Sequence, residues 1–354
     1  MPTKKKGGNL KKKWLTILFI AIITLIIGIW LFLGPATNFT EKSRHITINK
    51  FETNKSIVLA NFRKAGILQF TELLGIAGAA INLWDNMKPG TYEIKNGESI
   101  IDIIRLLRRG RSTEVKFVLN KVRTKEELTK LICKNFPLDS TAVYNFINTD
   151  DSLKPFHTNA ELLFTSIIPN TYSFYYDASI NKILQKLTNE ATEFWLRNDR
   201  LTKAQALGFT KEQVYILASI VEEETNYDSD KYKIASVYIN RLNKQIPLQA
   251  CPTIKFAMND FTLTRIYEKY LTTPSPYNTY KNKGLPPGPI CTPSPKTIDI
   301  VLNAPKTDYI YFVAKSDFSG YHHFSSNYEE HIKYANEYQK ELDAHQLKKL
   351  QEKK

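Results

Sequence analysis

A long uncharged segment near the start of the chain constrains the fold more than any other feature. Residues 14 to 33 are apolar except for two threonines and one glycine, and they include no charged side chain. A helix needs about 20 such residues to cross the hydrocarbon core of a bilayer. Trp14 and Trp30 lie towards the two ends of the segment, where indole rings favour the membrane interface. The segment therefore predicts a single transmembrane helix.

The residues before this segment predict its orientation. Six lysines lie within residues 1–13, and basic residues favour the cytoplasmic side of a membrane. We therefore expect a cytoplasmic tail over 1–13, an anchor over 14–33, and export of everything after Pro35. A cleaved signal peptide is the alternative, but the apolar run is longer than the usual core of about 7 to 15 residues, and no Ala-x-Ala cleavage site follows it.

The positive charge of the chain is concentrated at its two ends. Lysine and arginine number 49 against 35 acidic residues, and the formal charge of +14 suits nucleic acid, anionic lipid or another acidic polymer. Ten of the basic residues are terminal: Lys4, Lys5, Lys6, Lys11, Lys12, Lys13, Lys348, Lys349, Lys353 and Lys354. Because the exported part is removed from cytosolic nucleic acid and lacks basic residues interleaved with aromatic ones, we expect no nucleic-acid partner.

Cysteine and histidine spacing predicts neither a metal site nor a disulfide framework. The three cysteines form no Cys-x-x-Cys pair, and the six histidines form no His-x-x-x-His pair. No glycine-rich phosphate loop occurs, so we expect no metal and no nucleotide cofactor. One bridge, between Cys251 and Cys291, stays open in an oxidising compartment because sequence spacing does not decide pairing.

Residues 45–115 mix short alternating runs with short helical ones, which predicts a small α+β unit. Within it, the stretch from Lys88 to Leu107 reads as a turn, a strand, an Asn-Gly turn and a helix that Ser99 caps, with Asp102 at the capping-box distance. This arrangement resembles the opening of a LysM module, a small fold that binds the N-acetylglucosamine backbone of cell-wall glycans. A generic strand-to-helix corner gives the same pattern.

From residue 116 onward the pattern is mostly helical. Amphipathic helices are predicted over Arg123 to Cys133 and Ile180 to Trp195, with a strand within Ile168 to Tyr175 between them. Long loops rich in proline, glycine and asparagine follow the later helices, and loops of this length are commonly functional. The predicted fold class is α+β: an N-terminal transmembrane helix, a LysM-like subdomain over 45–115, and a mixed α+β domain over 116–345.

Three consecutive carboxylates, Glu222, Glu223 and Glu224, end an apolar run that begins at Val214. On an ideal helix Glu224 lies within roughly 35° of the centre of the apolar arc, whereas the other two lie more than about 120° away. Burial would raise the pKa of Glu224 and suit it to general acid catalysis. The alternative is a helix that ends at Glu222 and leaves all three carboxylates in solvent, because glutamate is rarely buried.

A series of unusual motifs follows in a fixed order. They are Ala218 to Thr225, Ala235 to Leu242, Pro247 to Gln249, Pro252-Thr253, Ser275 to Tyr280, Gly284 to Ile290 and Gly320 to Phe324. This series resembles the YceG-like family of endolytic murein transglycosylases, and the resemblance runs from Lys88 to the end of the chain. The Glu224-Thr225 pair also resembles the Glu-Ser signature of other lytic transglycosylases.

The resemblance implies cleavage of the β-1,4 bond between N-acetylmuramic acid and N-acetylglucosamine within a glycan strand. One glutamate acts first as an acid and then as a base, and it leaves a 1,6-anhydro end. The expected catalytic residue is Glu224, with Glu222 as second choice and Glu223 facing solvent. The resemblance also implies a bacterial cytoplasmic-membrane protein whose catalytic domain lies on the periplasmic or extracellular side and which works beside peptidoglycan synthases to terminate nascent strands.

Polar side chains of the later motifs are expected to bind the substrate. They are Asn240, Gln249, Tyr277, Asn278, Tyr280 and His322. Amides and hydroxyls orient sugar hydroxyl and acetamido groups, Tyr277 suits stacking on a pyranose, and His322 suits tuning the acid or holding a loop. A structural role is the alternative for each of them. The sequence departs from the family at Cys251, where an aspartate is usual, so any role of that carboxylate is absent or met differently.

A second function competes with catalysis, namely a non-catalytic peptidoglycan-binding or scaffold protein of the wall-synthesis machinery. The two hypotheses differ over Glu224, which is essential for the enzyme and dispensable for the scaffold.

Overall fold

The N-terminal helix α1 spans Gly8–Leu33, so it contains the predicted segment of 14–33 and begins six residues before it, within the predicted tail. Within it, Lys13–Leu33 is long and apolar enough to cross a membrane, and its large apolar side chains are exposed along most of its length. The computed structural model describes residues 8–48, 53–110, 114–263 and 265–351. Residues 1–7 of the predicted basic tail lie outside these ranges, as do Lys353 and Lys354.

The chain divides into two units. The first comprises Met1–Val115 with Ser173–Ala178, and the second comprises Lys116–Tyr172 with Ser179–Lys354. After α1, the first unit contains β1 (Ser43–Ile48), α2 (Lys55–Lys64), α3 (Thr71–Ala80), α4 (Leu83–Asn86), β2 (Gly90–Lys95) and α5 (Ile100–Arg109). Strands β1 and β2 pair antiparallel from Ser43 opposite Lys95 to Ile48 opposite Gly90. Helices α2 to α5 pack with this sheet around one apolar core.

The predicted strand, turn and capped helix are confirmed. Strand β2 ends at Lys95, the turn places Gly97 at φ +87°, and α5 begins directly after Ser99. The Ser99 hydroxyl accepts a hydrogen bond from the Asp102 amide at 3.2 Å and donates one to the Asp102 carboxylate at 2.6 Å. The helix begins here because this side chain satisfies an amide that the first turn leaves without a helical partner.

Two further two-stranded sheets belong to the mixed α+β architecture. Strands β3 (Glu114–Leu119) and β4 (Asn170–Tyr175) form one sheet. The strand predicted within residues 168–175 is therefore confirmed. Strands β5 (Tyr311–Ala314) and β6 (His322–Ser325) pair antiparallel in the second unit.

Helices make up most of the second unit. They are α6 (Lys125–Asn135), α7 (Ser140–Asn148), α8 (Asp150–Leu153), α9 (Ile180–Leu196), α10 (Arg200–Ala206), α11 (Lys211–Glu224), α12 (Asp228–Asn243), α13 (Cys251–Ala257), α14 (Pro295–Leu302) and α15 (Tyr328–Gln351). Helices α12, α13 and α14 all pack against α11. Helix α11 is therefore the central element of this unit.

Helix α11 is buried on all of its faces, which a single apolar arc does not predict. Every residue from Val214 to Val221 is buried, including Tyr215 and Ser219. The Tyr215 hydroxyl donates to the Ile167 carbonyl at 2.6 Å. The Ser219 hydroxyl donates to the Ile216 carbonyl at 2.7 Å and accepts from the Ile290 amide at 3.0 Å. These bonds satisfy the two polar side chains, so neighbouring elements can cover the helix on its remaining side.

We expect removal of the N-cap of α11 to destabilise the second unit. The Thr210 hydroxyl accepts from the Gln213 amide, and the Gln213 side chain accepts from the Thr210 amide, which forms a capping box. Thr210→Ala should lower the free energy of unfolding by about 1 kcal/mol, measured by urea denaturation followed by circular dichroism. Thr149→Ala is the matched control, because Thr149 precedes α8 without a side-chain bond to an amide of that helix, and its exposed hydroxyl donates instead to the Asn145 carbonyl at 2.8 Å. Equal losses in the two variants would contradict the prediction.

Candidate active site

The last turn of α11 gives three adjacent carboxylates three different environments. Glu222, Glu223 and Glu224 all lie within the helix, and Thr225 forms its C-cap. The alternative in which the helix ends at Glu222 is therefore wrong. All three side chains are partly buried, because the body of the helix is enclosed and the surrounding elements extend past its end. Each carboxylate therefore needs a partner, or a shift of its pKa, to compensate for the hydration that it loses.

Glu222 is held in a buried ion pair between three helices. Its Oε2 accepts from the Lys231 ammonium at 2.9 Å, from the Thr297 hydroxyl, and from the Ser294 hydroxyl at 3.3 Å. The side chains of Lys231 and Glu222 are only 8% and 15% exposed. Since Lys231 lies on α12 and the two hydroxyl residues belong to the start of α14, the Glu222 carboxylate joins α11 to both helices. A carboxylate committed in this way is poorly placed to exchange protons with a ligand.

The expectation that Glu223 faces solvent is wrong. Its side chain is 15% exposed and binds Arg123 through two hydrogen bonds, from Nε at 3.1 Å and from Nη2 at 3.0 Å. The Lys121 ammonium lies 3.0 Å from Oε1. Burial raises the pKa of Glu223, but the bonds from the two cations outweigh it and bring the pKa below its ordinary value. The helical wheel misses this environment because both cations come from a segment about 100 residues earlier in the chain.

Glu224 is the only carboxylate of the three without a cation in an ion pair among the described residues. Its Oε1 accepts a hydrogen bond from the hydroxyl of Tyr238, a fully buried tyrosine on α12. Burial raises the pKa of Glu224 to about 7, although the Tyr238 bond and the charge of Lys255 lower it and the charge of Glu223 raises it further. The predicted rise in pKa through loss of hydration is confirmed. Near neutral pH, Glu224 therefore exists in both its protonated and its ionised form.

Cys251 and Tyr280 lie beside the Glu224 carboxyl. The Cys251 sulfur lies 3.1 Å from the Tyr280 hydroxyl, and the charge of Glu224 raises the pKa of both groups in addition to the larger effect of burial. Cys251 is exposed and Cys291 is buried, and both are free thiols. At Cys251 this chain therefore places a thiol against a phenol.

Arg241 holds the loop that leads to Cys251. Its guanidinium donates to the carbonyls of Ile310 at 2.7 Å, Pro247 at 3.1 Å and Leu248 at 3.0 Å, and to the Gln249 side chain at 3.1 Å. Gln249 adopts a left-handed backbone conformation with φ +54°. The Gln249 side chain is thus part of the loop anchor, and the loop places the start of α13 beside Glu224.

Two of the predicted substrate-binding residues donate hydrogen bonds to backbone carbonyls. The Asn240 amide donates at 2.9 Å to the carbonyls of both Thr307 and Tyr309. Asn278 is fully buried, and its amide donates at 2.9 Å to the carbonyls of Leu271 and Thr273. Since both amide hydrogens are used in each case, these two side chains stabilise loops.

Among the described residues, neither His322 nor Tyr277 forms a hydrogen bond with the Glu224 carboxyl. His322 binds the buried Asp230 carboxylate through its backbone amide at 2.7 Å and through Nδ1 at 3.0 Å, which joins β6 to α12. Tyr277 packs against Phe256, with ring centroids 4.7 Å apart, and lines a cavity of about 520 Å³.

Sequence reasoning did not single out Tyr238, Lys255 or Arg241 as parts of the site. Tyr238 and Arg241 lie three residues apart on α12, a spacing that places both polar tips on one face of the helix. That spacing is a signal, but it does not tell which carboxylate the tyrosine will reach. Lys255 carries no such signal, because its position depends on how α13 packs against α11.

The model of the YceG-like family matches residues 46–337, so the chain belongs to this family. The resemblance inferred from the motifs is confirmed. An endolytic murein transglycosylase of Bacillus subtilis (strain 168) is 38% identical over 176 residues, which cover 49% of this chain and 47% of that protein. An endolytic murein transglycosylase of Streptococcus pneumoniae serotype 2 (strain D39 / NCTC 7466) is 25% identical over 322 residues, which cover 82% of this chain and 58% of that protein.

The chain thus spans about half the length of the curated relatives that it matches. A solved structure supports the same family assignment. The crystal structure of a yceG-like protein from Listeria monocytogenes matches with a TM-score of 0.52 and 25% identity, and the match covers 83% of this chain and 99% of that one.

We expect the two neighbouring carboxylates to affect stability with opposite signs. The folded state raises the pKa of Glu224 from 4.5 to about 7, so this residue costs stability as pH rises between those values. Glu224→Gln should therefore stabilise the protein relative to wild type more at pH 8 than at pH 5, by on the order of 2 kcal/mol. The pKa of Glu223 is lowered, so its contribution is present above about pH 4.5 and is lost only at lower pH.

Glu223→Gln is accordingly the matched control. It should destabilise the protein by about 1 to 3 kcal/mol at both pH values, because two cations lose their partner, and the difference between pH 5 and pH 8 should be small because the charge of Glu223 is the smallest of the named effects on the Glu224 pKa. Chemical denaturation at both pH values measures each difference. A Glu224→Gln effect that does not change between pH 5 and pH 8 would show that the carboxyl is ionised throughout this range.

Proposed function

We propose that this protein is a membrane-anchored endolytic peptidoglycan lytic transglycosylase with Glu224 as its catalytic acid and base. The observation that carries the proposal is the Glu224 carboxyl, which has a pKa of about 7 and a hydrogen bond from Tyr238 to one of its two oxygens. The names of the relatives from Bacillus subtilis and Streptococcus pneumoniae support the substrate and the reaction class.

The reaction uses the two protonation states of one residue in turn. Protonated Glu224 donates its proton to the glycosidic oxygen as the bond from that oxygen to C1 of N-acetylmuramic acid breaks. The Glu224 carboxylate then accepts the proton of the C6 hydroxyl of the same sugar, whose oxygen attacks C1 and forms the 1,6-anhydro ring. The residue ends protonated as it began, and no water is consumed. A pKa near 7 serves both steps, since neither form is strongly favoured.

One essential carboxylate is sufficient for this chemistry, unlike the pair that ordinary glycosidases use. This requirement agrees with the engagement of Glu222 by Lys231 and of Glu223 by Arg123. We therefore assign these two residues to holding the end of α11. Tyr238 orients the Glu224 carboxyl, which leaves Oε2 to face the glycosidic oxygen. Among the predicted substrate-binding residues, we favour Tyr280 most, because its hydroxyl lies beside Cys251, a neighbour of Glu224.

The finer cellular features belong to the same proposal. Helix α1 anchors the chain in the bacterial cytoplasmic membrane with a short cytoplasmic N-terminus, and the second unit acts on nascent strands outside that membrane beside peptidoglycan synthases. The length and hydropathy of Lys13–Leu33 support the anchor. The first unit, with its strand β2 and capped helix α5, is proposed to bind glycan as a LysM-like module does.

Glu224→Gln should abolish strand cleavage, with a loss of at least about 10³-fold in kcat, because the amide can neither donate nor accept the transferred proton. Purified full-length protein is incubated with murein strands, and the products are identified by mass spectrometry. The expected product carries a 1,6-anhydromuramyl end. A product 18 Da heavier, with a reducing end, would show that the protein hydrolyses the bond and does not act as a lyase. Activity retained by Glu224→Gln would refute the assignment and favour the scaffold alternative.

Tyr238→Phe should move the alkaline limb of the pH–rate profile to higher pH by about one unit. The Tyr238 hydrogen bond stabilises the Glu224 carboxylate and lowers its pKa, so its loss keeps the carboxyl protonated to higher pH. Tyr215→Phe is the matched control, because this buried tyrosine bonds to the Ile167 carbonyl instead. An alkaline limb that does not move in Tyr238→Phe, or that moves equally in the control, would contradict the role of Tyr238.

A further inference from the structure

A cavity of about 520 Å³ lies in the second unit and adjoins the candidate active site. Arg123 lines it and also binds Glu223, the neighbour of Glu224. Phe256 lines it as well, and the preceding residue, Lys255, acts electrostatically on Glu224. The cavity is therefore connected to Glu224 through the Arg123–Glu223 ion pair and through helix α13.

The cavity contains charged side chains of both signs that the described part of the chain leaves without an ion pair. Lys125 is partly buried, and burial lowers its pKa. Its ammonium donates to the Asn148 side chain at 3.0 Å, but no described carboxylate lies within 4.0 Å of it. Glu161 is exposed and, among the described residues, has neither a hydrogen bond nor an ion pair to its carboxylate.

The other two charged residues of the lining are already engaged. Arg123 is bound to Glu223, and Glu126 accepts a hydrogen bond from the Tyr144 hydroxyl at 2.9 Å. Lys125 and Glu161 are therefore the cation and the anion of the described lining that form no ion pair, although the charges of Asp150, Glu126 and Glu161 also act on Lys125 over a longer distance. An ammonium held in a partly dehydrated position gains from an anionic ligand, because the ligand replaces the lost hydration.

A fixed aromatic surface completes the cavity. The rings of Phe256 and Tyr277 lie 4.7 Å apart. A Cβ atom at Gly288 would lie 2.7 Å from the Tyr277 hydroxyl and 2.8 Å from the Glu161 carbonyl, so the absence of a side chain at Gly288 lets Tyr277 pack against the backbone of Glu161. The apolar rings and the backbone of Glu161 thus keep a defined arrangement.

This combination of charges favours a peptide over a glycan as the ligand. The sugar hydroxyl and acetamido groups of a glycan strand carry no charge that would repay the dehydration of both an ammonium and a carboxylate. A short peptide carries carboxylates and an amino group, and its apolar parts suit the two rings. We propose that the cavity binds the stem peptide of the murein substrate, with Lys125 contacting a peptide carboxylate and Glu161 a peptide ammonium. This inference rests on the proposed function of Glu224.

The test compares uncrosslinked murein strands that carry their stem peptides with the same strands after an amidase has removed the peptides. Full-length protein in detergent should cleave the intact strands with a kcat/KM about tenfold higher, mainly through KM, as expected for two ionic contacts made only with the peptide. Lys125→Met and Glu161→Gln should each lower this ratio, and the double variant should bring it close to one.

Matched controls come from another cavity of the same unit. Lys211 and Glu212, at the start of α11, line a cavity of about 580 Å³. Lys211→Met and Glu212→Gln make the same chemical changes there and should keep the tenfold ratio. Thermal unfolding of every variant checks that the fold is retained.

Two results would overturn the inference. One is equal kcat/KM for intact and peptide-free strands in the wild-type protein, and the other is a ratio that the Lys125 and Glu161 variants do not change. Calorimetric titration with a synthetic stem peptide separates this inference from the proposed function, because it requires no catalysis. Peptide binding that the double variant abolishes supports the cavity even if neither strand is cleaved, whereas cleavage of both strands without peptide binding refutes the cavity alone.

Discussion

The enclosure of α11 on all sides determines how the rest of the candidate site is arranged. A helix that is buried from Val214 to Val221 carries its last turn into poorly hydrated surroundings, and that turn consists of three glutamates. Each unpaired charge there would cost several kcal/mol. The second unit resolves the problem differently for each: a buried ion pair for Glu222, two cations for Glu223, and a shifted pKa for Glu224. The acid thus results from the absence of a cation partner, while its neighbours take the available lysines and arginines.

Much of the fold was predictable, because its signals are local. The apolar segment that forms α1, the strand β2 and the Ser99 cap of α5 depend on residues that lie within a few positions of one another. The full burial of α11 was not predictable from an amphipathic pattern. Polar residues on its far side, such as Ser219, find partners in segments about 70 residues away, and a helical wheel carries no information about them.

The same difference between local and distant contacts decides which parts of the candidate site were predictable. The direction of the Glu224 pKa shift followed from the apolar residues next to it in the sequence. The environment of Glu223 did not, because Arg123 comes from a distant segment. Motif residues such as Asn240 and Asn278 were recognisable, but sequence does not tell whether an amide faces a ligand or a backbone carbonyl of the protein. The structure shows the second for both.

The anchoring of the loop before α13 by Arg241 bears on how such a site can vary. Three of the four oxygens that the guanidinium binds belong to the backbone, and every amino acid provides a carbonyl. Leu248 is buried, but the side chains of Pro247 and Ile310 are therefore free to change without moving the loop. The arginine itself is not, since a lysine ammonium lacks the planar set of donors that reaches several carbonyls at once. This single arginine thus permits side chains at the rim of the site to change while its acid stays in place.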